Sequence, residues 1–169
     1  FELVSSRESC RSYNGEPVKK EDLLKCMEAA RLAPSACNGQ PWKIVIAAND
    51  QLKTECVKLT QPFTKKAGAF IVLVEEKPSF QTKIVNTFKE QEYTQLDIGI
   101  LASHICLAAA QLGLGTCMLG WFNEKKIKKL LQIPTSKRAR LVISVGYAAN
   151  QEEKPKKRKA LKDILRYVE

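Results

Sequence analysis

The segment from Gln95 to Leu112 constrains the fold more than any other part of this sequence. Its apolar residues lie on most faces of a helix, a pattern typical of a helix that is buried on nearly all sides. The longest apolar stretch, Ile98 to Leu114, is interrupted by Ser103, His104 and Gln111 and is too short and too polar to cross a bilayer. We therefore expect this helix to form the spine of the core, and we expect no membrane span.

Shorter segments on both sides predict further helices and strands. Lys19 to Leu32 has helical spacing and ends before Pro34, and Asn123 to Leu131 has Asn123 as a candidate N-cap. Weaker helical patterns run from Asp50 to Leu59, from Ser79 to Lys89 and from Ala160 to Val168. β-Branched and aromatic runs predict strands at Trp42 to Ala47, Ala69 to Glu75, Thr116 to Trp121 and Arg140 to Tyr147.

This interspersed order indicates an α+β fold. With 169 residues and 44% hydrophobic side chains, the chain has the length and apolar content for a single domain spanning residues 1–169. It starts at Phe1 rather than at a methionine, so we expect it to continue from a longer protein, and nothing near Phe1 resembles a signal peptide.

The cysteines and the single histidine argue against a metal site. None of the six cysteines forms a C-x-x-C pair, and in a well-cored chain we expect them to be reduced thiols in a cytoplasmic protein. The only histidine, His104, lies in an apolar run, so we expect a core histidine and no metal ligand. These cysteines are Cys10, Cys26, Cys37, Cys56, Cys106 and Cys117.

The net charge of +10 favours anionic partners. A basic nucleic-acid-binding domain is one reading of that charge, supported by the run from Lys154 to Lys159. The sequence has no helix-turn-helix and no strand that alternates aromatic and basic residues, so we expect no nucleic acid as partner.

An anion clamp is one interpretation of the alternating residues Arg7, Ser9 and Arg11, which point to the same side of an extended segment. Two guanidinium groups and a hydroxyl suit a phosphate or an electron-rich ring edge. The alternative is a solvated basic strand. The basic run near the C-terminus could close the same phosphate site, or it could be a solvated tail or a localisation signal.

Two turn regions are further candidates. Residues 33–42 (A-P-S-A-C-N-G-Q-P-W) offer backbone amides and short polar side chains to a ligand, although these residue types are also ordinary in a helix-to-strand connection. Residues 112–121 (L-G-L-G-T-C-M-L-G-W) fail the G-x-G-x-x-G pattern because Met118 replaces the third glycine, which excludes a Rossmann phosphate loop. Gly113 is a candidate helix C-cap, and Gly120 inside a strand suggests a close backbone approach to a flat ligand.

Four motifs in this order resemble the nitroreductase family. They are R-x-S-x-R at residues 7–11, A-P-S-x-x-N-x-Q-P-W at 33–42, D-I-G followed by L-G-L-G-T over 97–116, and G-Y at 146–147 with K-x-R at 156–158. The resemblance runs from Ser5 to about Leu161. It implies a mostly antiparallel central sheet flanked by helices, with FMN bound at the interface of a homodimer.

The resemblance also implies roles for individual residues. Arg7 and Ser9 would hold the FMN phosphate together with Lys156 and Arg158, and Arg11 would reach the N1/O2 edge of the flavin. Gln61 would touch the pyrimidine ring, and the backbone at Leu119 and Gly120 would lie against N5. The partner subunit would contribute Pro34, Ser35, Ala36 and Asn38.

The implied activity is hydride transfer from NADH or NADPH through FMN to a small-molecule electron acceptor such as a nitroaromatic or a quinone, with ping-pong kinetics. The flavin carries the chemistry, so we expect no catalytic side chain. The segment between Val74 and Asp97 is short. In the larger members of the family, insertions in this region commonly shape the acceptor pocket. The identity of the acceptor is therefore left open. The alternative is an FMN-binding or flavin-handling protein of the same fold without broad reductase activity.

Overall fold

A computed structural model describes residues 1–77, 92–150 and 155–169. Its helices are α1 (Glu2–Ser6), α2 (Lys20–Arg31), α3 (Asp50–Leu59), α4 (Tyr93–Gln111) and α5 (Glu124–Leu130). Its strands are β1 (Trp42–Ala47), β2 (Ala69–Glu75), β3 (Gly115–Leu119) and β4 (Arg138–Gly146), and short 3-10 turns cover Ala36–Asn38, Pro62–Thr64 and Leu161–Asp163.

The four strands form one antiparallel sheet in the order β1-β2-β4-β3. All four predicted strands and the helices predicted at residues 19–32, 50–59, 95–112 and 123–131 are confirmed, with ends that agree to within two residues. The mostly antiparallel sheet flanked by helices, the α+β architecture predicted from the sequence, is therefore present. The helix predicted at Ser79 to Lys89 lies outside the described residues.

The two central strands divide the interior into two cores because side chains alternate between the faces of a strand. Ile71 of β2 and Ile143 of β4 pack with α2 and α4 on one face. Val72 of β2 and Val142 of β4 pack on the other face with residues of α3 and α5. Each of these four side chains is fully buried, and burial of one such side chain contributes about 1.5–3 kcal/mol.

Helix α4 lies against the first core, as predicted, but one side of it is exposed. Leu101 and Ile105 are fully buried, whereas Leu96 is 57% and Ile100 is 38% exposed. The expectation of burial on nearly all sides is therefore wrong for this chain alone. The uniform apolar composition conceals which face meets the sheet, because a helix that is hydrophobic all round has no preferred face.

The N-terminal segment extends the sheet beyond β3. Ser9 forms a parallel bridge with Thr116, and Tyr13 forms an antiparallel bridge with Ala148. The Tyr13 hydroxyl is buried, lies 2.8 Å from Ser144 Oγ and donates to the Ser144 carbonyl oxygen at 3.2 Å. Burial raises the pKa of Tyr13 well above its usual range, which keeps the hydroxyl protonated. Residues 9–13 are thus fixed to the sheet by backbone and side-chain contacts.

Other sequence expectations are wrong. Residues 160–168 form only the 3-10 turn Leu161–Asp163 and are exposed, and a short helix without a packing surface is marginal. Gly120 follows β3 instead of lying within it. His104 is only partly buried, and its Nδ1 lies 2.9 Å from the Ile100 carbonyl oxygen of its own helix. Helix α1 has no counterpart among the predicted elements.

Among the residues described, no helix combines the length and the apolar character that crossing a membrane requires.

Replacement of Tyr13 by Phe tests how strongly the N-terminal segment is held. The change removes the hydroxyl that pairs with Ser144, so we expect the free energy of unfolding to fall by about 1–3 kcal/mol. Tyr147→Phe is the matched control, because Tyr147 is partly buried and the described residues show no hydrogen bond from its hydroxyl. Urea denaturation measures both changes, and equal losses would contradict a specific role for the Tyr13–Ser144 pair.

Candidate functional site

A cleft of about 860 Å³ lies where the C-terminal end of α4 meets the start of β3. Arg7 and Lys156, two of the residues predicted to bind phosphate, line it together. The backbone from Gly113 to Thr116 forms one wall, and Gly113 has a φ of 74°, as expected for a helix C-cap glycine. The cleft also contains Glu8 and Glu16, so its anion-binding capacity depends on how Arg7 and Lys156 are placed.

Ser9 and Arg11 follow Arg7 in the chain and lie in the segment beside β3. Ser9 is exposed beside Thr116, the buried Cys10 follows it, and Arg11 is exposed again, which agrees with the alternation expected of an extended segment. Burial raises the pKa of Cys117 in β3, and the positive charges of Arg11 and Arg7 oppose that rise. Both guanidinium groups therefore act electrostatically on the strand that leads to Leu119 and Gly120.

Of the other two predicted phosphate ligands, Ser9 lies at the Thr116 bridge and does not line the cleft, and Arg158 is not brought to the cleft. Arg158 is exposed, and its Nη1 donates to the Lys157 carbonyl oxygen at 2.8 Å. Residues 155–159 are all exposed, and of these Pro155 and Lys156 line the cleft. The basic segment thus reaches the cleft at one end only.

The second predicted group, Pro34, Ser35, Ala36 and Asn38, forms a tight turn between α2 and β1. Cys37, Asn38 and Gln40 have φ values of 51°, 51° and 45°, a left-handed conformation that non-glycine residues adopt at a cost. The Ser35 hydroxyl oxygen accepts from Gln40 N at 3.0 Å, and the Gln40 side chain donates to the Asn38 carbonyl oxygen at 3.2 Å. Such a consistently strained, hydrogen-bonded turn is typical of a ligand-binding loop.

Asp97 of α4 holds this turn in place. The Asp97 side chain is only 3% exposed, and its Oδ1 accepts from Ala36 N at 3.0 Å. Its Oδ2 is also buried, and none of the described residues donates a hydrogen bond to it. We did not single out Asp97 from the sequence as a site residue, although a carboxylate in the most apolar helix of the chain was a usable signal.

A third group lies at the far end of β3. Leu119 is buried at the last strand position, Gly120 is exposed directly after it, and the Gln61 amide donates to the Trp121 carbonyl oxygen at 3.1 Å. A Cβ added to Gly120 would meet no heavy atom within 4 Å, so there is open space above this backbone. The structure therefore brings Gln61 next to Trp121, the residue that follows Gly120.

These groups do not all come together within one chain. Asp97 and the turn it holds lie near the N-terminal end of α4, whereas the cleft with Arg7 lies beyond its C-terminal end. At 1.5 Å per residue, the axial separation between Asp97 and Gly113 is about 24 Å. The cleft and the Gln61 group both adjoin β3, but the Ser35 turn is remote from the cleft in the same chain.

The turn also carries the one cysteine that is exposed, Cys37. Burial raises the pKa of Cys26 and of Cys56 to about 11, and it also raises that of Cys106. A buried thiol with a raised pKa reacts slowly because the thiolate is the nucleophile.

We therefore expect one thiol of the native protein to react rapidly with an aromatic disulfide reagent at pH 8, and all six to react after denaturation. Cys37→Ser removes the rapid phase, and Cys56→Ala leaves it unchanged. The absorbance of the released thiolate measures the count. A rapid phase that survives in Cys37→Ser would show that one of the five other thiols is accessible and would contradict the assignment to Cys37.

Comparison with known proteins agrees with this fold. The sequence model of the Nitroreductase family matches residues 4–61 and 48–147. A protein of Archaeoglobus fulgidus named as an NADH dehydrogenase/NAD(P)H nitroreductase is 30% identical over 90% of this chain and 87% of its own. The FMN reductase [NAD(P)H] of Bacillus subtilis is 27% identical, over 89% of this chain and 66% of its own. An iodotyrosine deiodinase of Thermotoga neapolitana is 25% identical, with coverages of 92% and 91%.

Solved structures show the same architecture. A nitroreductase family protein from Clostridium novyi NT superposes with a TM-score of 0.75 at 26% identity, covering 91% of this chain and 87% of that one. One from Streptococcus pneumoniae TIGR4 has a TM-score of 0.83 at 24% identity, with coverages of 99% and 98%. The ordered motifs, the sheet and these matches together establish that this chain belongs to the nitroreductase family.

Proposed function

We propose that this protein binds FMN and transfers hydride from NADH or NADPH through it to a small-molecule electron acceptor. That it is an NAD(P)H-dependent flavin oxidoreductase in the general sense follows from its family and its relatives. The observation that carries the specific proposal is the convergence of Arg7 and Lys156, from opposite ends of the chain, on one cleft beside β3.

The residues of the cleft fit a phosphate group. Arg7 is partly buried beside the start of β3, and Lys156 approaches from the C-terminal segment. Ser9 adds a hydroxyl at the Thr116 bridge, and a guanidinium group donates several hydrogen bonds in one plane, which suits phosphate oxygens. Arg158 would join them only if the segment after Pro155 turns towards the cleft when the ligand binds.

The ring system of the cofactor would lie along β3 from this phosphate site towards Gly120. Arg11 would meet the N1/O2 edge, where a positive charge favours the reduced flavin. The Leu119 and Gly120 backbone would face N5, and Gln61 would contact the pyrimidine ring. When bound, FMN supplies the hydride transfer itself, so we assign no catalytic side chain. One open site that serves donor and acceptor in turn predicts ping-pong kinetics.

We further propose that two copies of this chain complete each site. The Ser35 turn is about 24 Å along α4 from the cleft, so a site that uses both takes them from different chains. Two α4 helices packed side by side in opposite directions would bring the turn of one chain to the cleft of the other. The exposed side chains of Leu96 and Ile100 give α4 the apolar surface for such a contact. Pro34, Ser35, Ala36 and Asn38 would then reach the flavin and its ribityl chain.

The cofactor proposal predicts a yellow protein whose visible absorbance bleaches when NADH or NADPH is added without oxygen. Arg7→Ala and Lys156→Ala should each weaken FMN binding about tenfold or more, because each removes a charged hydrogen-bond donor to phosphate. Riboflavin, which lacks the phosphate, is the matched ligand, and its affinity should stay unchanged in both variants. Fluorescence titration of the apoprotein gives both dissociation constants.

A protein that stays colourless after incubation with FMN would disprove the cofactor proposal. FMN binding without bleaching by either nucleotide would instead favour the alternative of a flavin-binding or flavin-handling protein. Equal losses of FMN and riboflavin affinity would show that Arg7 and Lys156 do not bind the phosphate.

The dimer proposal predicts a mass in light scattering of twice the 19.0 kDa chain. Ile100→Glu places charges in the proposed contact, so we expect a shift to monomer and, because the Ser35 turn of the partner is lost, weaker FMN binding. Leu24→Glu is the matched control, since Leu24 is an exposed leucine on α2. An Ile100→Glu protein that stays dimeric with full FMN affinity would contradict the arrangement.

A further inference from the structure

Trp121 is an exposed tryptophan on a fixed backbone. Its side chain is 85% exposed, although it follows the buried Leu119 by only two positions. A large aromatic side chain that faces solvent forgoes the favourable free energy of burial, and exposed aromatic side chains commonly mark binding surfaces.

The backbone around Trp121 is held from two sides. Gln61 donates to the Trp121 carbonyl oxygen at 3.1 Å, and Asn123 N donates to the Leu59 carbonyl oxygen at 2.8 Å. The next residue, Phe122, is partly buried and packs against the second core. Trp121 thus projects from a segment that is tied to the end of α3, and its ring can meet a ligand with little loss of backbone freedom.

The space beside Trp121 has the size of a small-molecule site. Residues 58–61 and 121–124 line an open groove of about 470 Å³, which is within the usual range for small-ligand sites. Polar groups line it as well, among them Thr60 and the Gln61 side chain. Lys58 lies at its edge but is paired with Glu55 at 2.6 Å.

We propose that Trp121 is the stacking surface for the electron acceptor and that it selects acceptors with a planar aromatic ring. The inference rests on the proposed function, because it places the acceptor beside Gly120, where the flavin N5 would lie. Gly120 adjoins Trp121 directly, and open space lies above its backbone. An aromatic ring stacked on the indole would be held next to the reacting edge of the flavin, whereas a non-aromatic acceptor would gain nothing from Trp121.

The test compares two acceptors in the NAD(P)H-reduced holoenzyme: 4-nitrobenzoate, which is planar and aromatic, and ferricyanide, which is neither. Stacking of two aromatic rings changes an equilibrium constant by up to about tenfold, and the apolar area that the ring buries adds to this. We therefore expect Trp121→Ala to raise the KM for 4-nitrobenzoate about tenfold relative to that for ferricyanide, with rates expressed per bound FMN. Trp121→Phe should restore most of the difference, and Leu24→Ala should change neither acceptor.

A binding measurement without turnover accompanies the kinetics. Titration of the oxidised holoenzyme with 4-nitrobenzoate, in the absence of NAD(P)H, should perturb the visible spectrum of the flavin, and Trp121→Ala should weaken this binding by a similar factor. Equal changes for both acceptors, or an unchanged KM and dissociation constant for 4-nitrobenzoate, would overturn the proposal. If the wild-type protein binds no FMN, the proposed function fails before Trp121 is tested, so the two failures are distinguishable.

Discussion

The burial of β2 and β4 on both faces is the constraint on which the rest of the structure depends. Six consecutive residues of β2, Ala69 to Val74, are buried, so neither face of the sheet can be left to solvent. Helices α2 and α4 cover one face, and α3 and α5 cover the other. The strands beside this pair are therefore the places where polar groups can approach the sheet. The cleft and the Gln61 group both adjoin β3, which is at one edge of the order β1-β2-β4-β3.

Helix α4 links this scaffold to the two halves of the candidate site. Its N-terminal part carries Asp97, which fixes the Ser35 turn, and its C-terminal end leads through Gly113 to the cleft. The length of the helix keeps these two ends apart, and the side chains of Leu96 and Ile100 leave an apolar part of its surface exposed in the single chain. In the proposed dimer, the surface that joins two copies would also complete the proposed cofactor site.

The sequence predicted the sheet and the main helices well because their patterns are local. Alternation and apolar runs identified all four strands, and Asn123 was correctly predicted as an N-cap, since its side chain accepts from Lys126 N. The helix predicted in the C-terminal tail is absent because a local pattern was not enough there. Leu161, Ile164 and Leu165 have helical spacing, but spacing stabilises a helix only when its apolar side packs against something, and in this chain these side chains are exposed.

The sequence by itself determined the family, the order of elements and the identity of the candidate cofactor ligands, because these depend on residue types at fixed spacings along the chain. Only the tertiary structure decided which of those ligands lie together. It placed Lys156 beside Arg7 and left Arg158 outside the cleft, and it showed that Asp97 holds the turn and that Trp121 faces open space. Such contacts join residues that are far apart in the sequence, as Arg7 and Lys156 are. Their geometry is set by how the helices pack on the sheet, which no local pattern encodes.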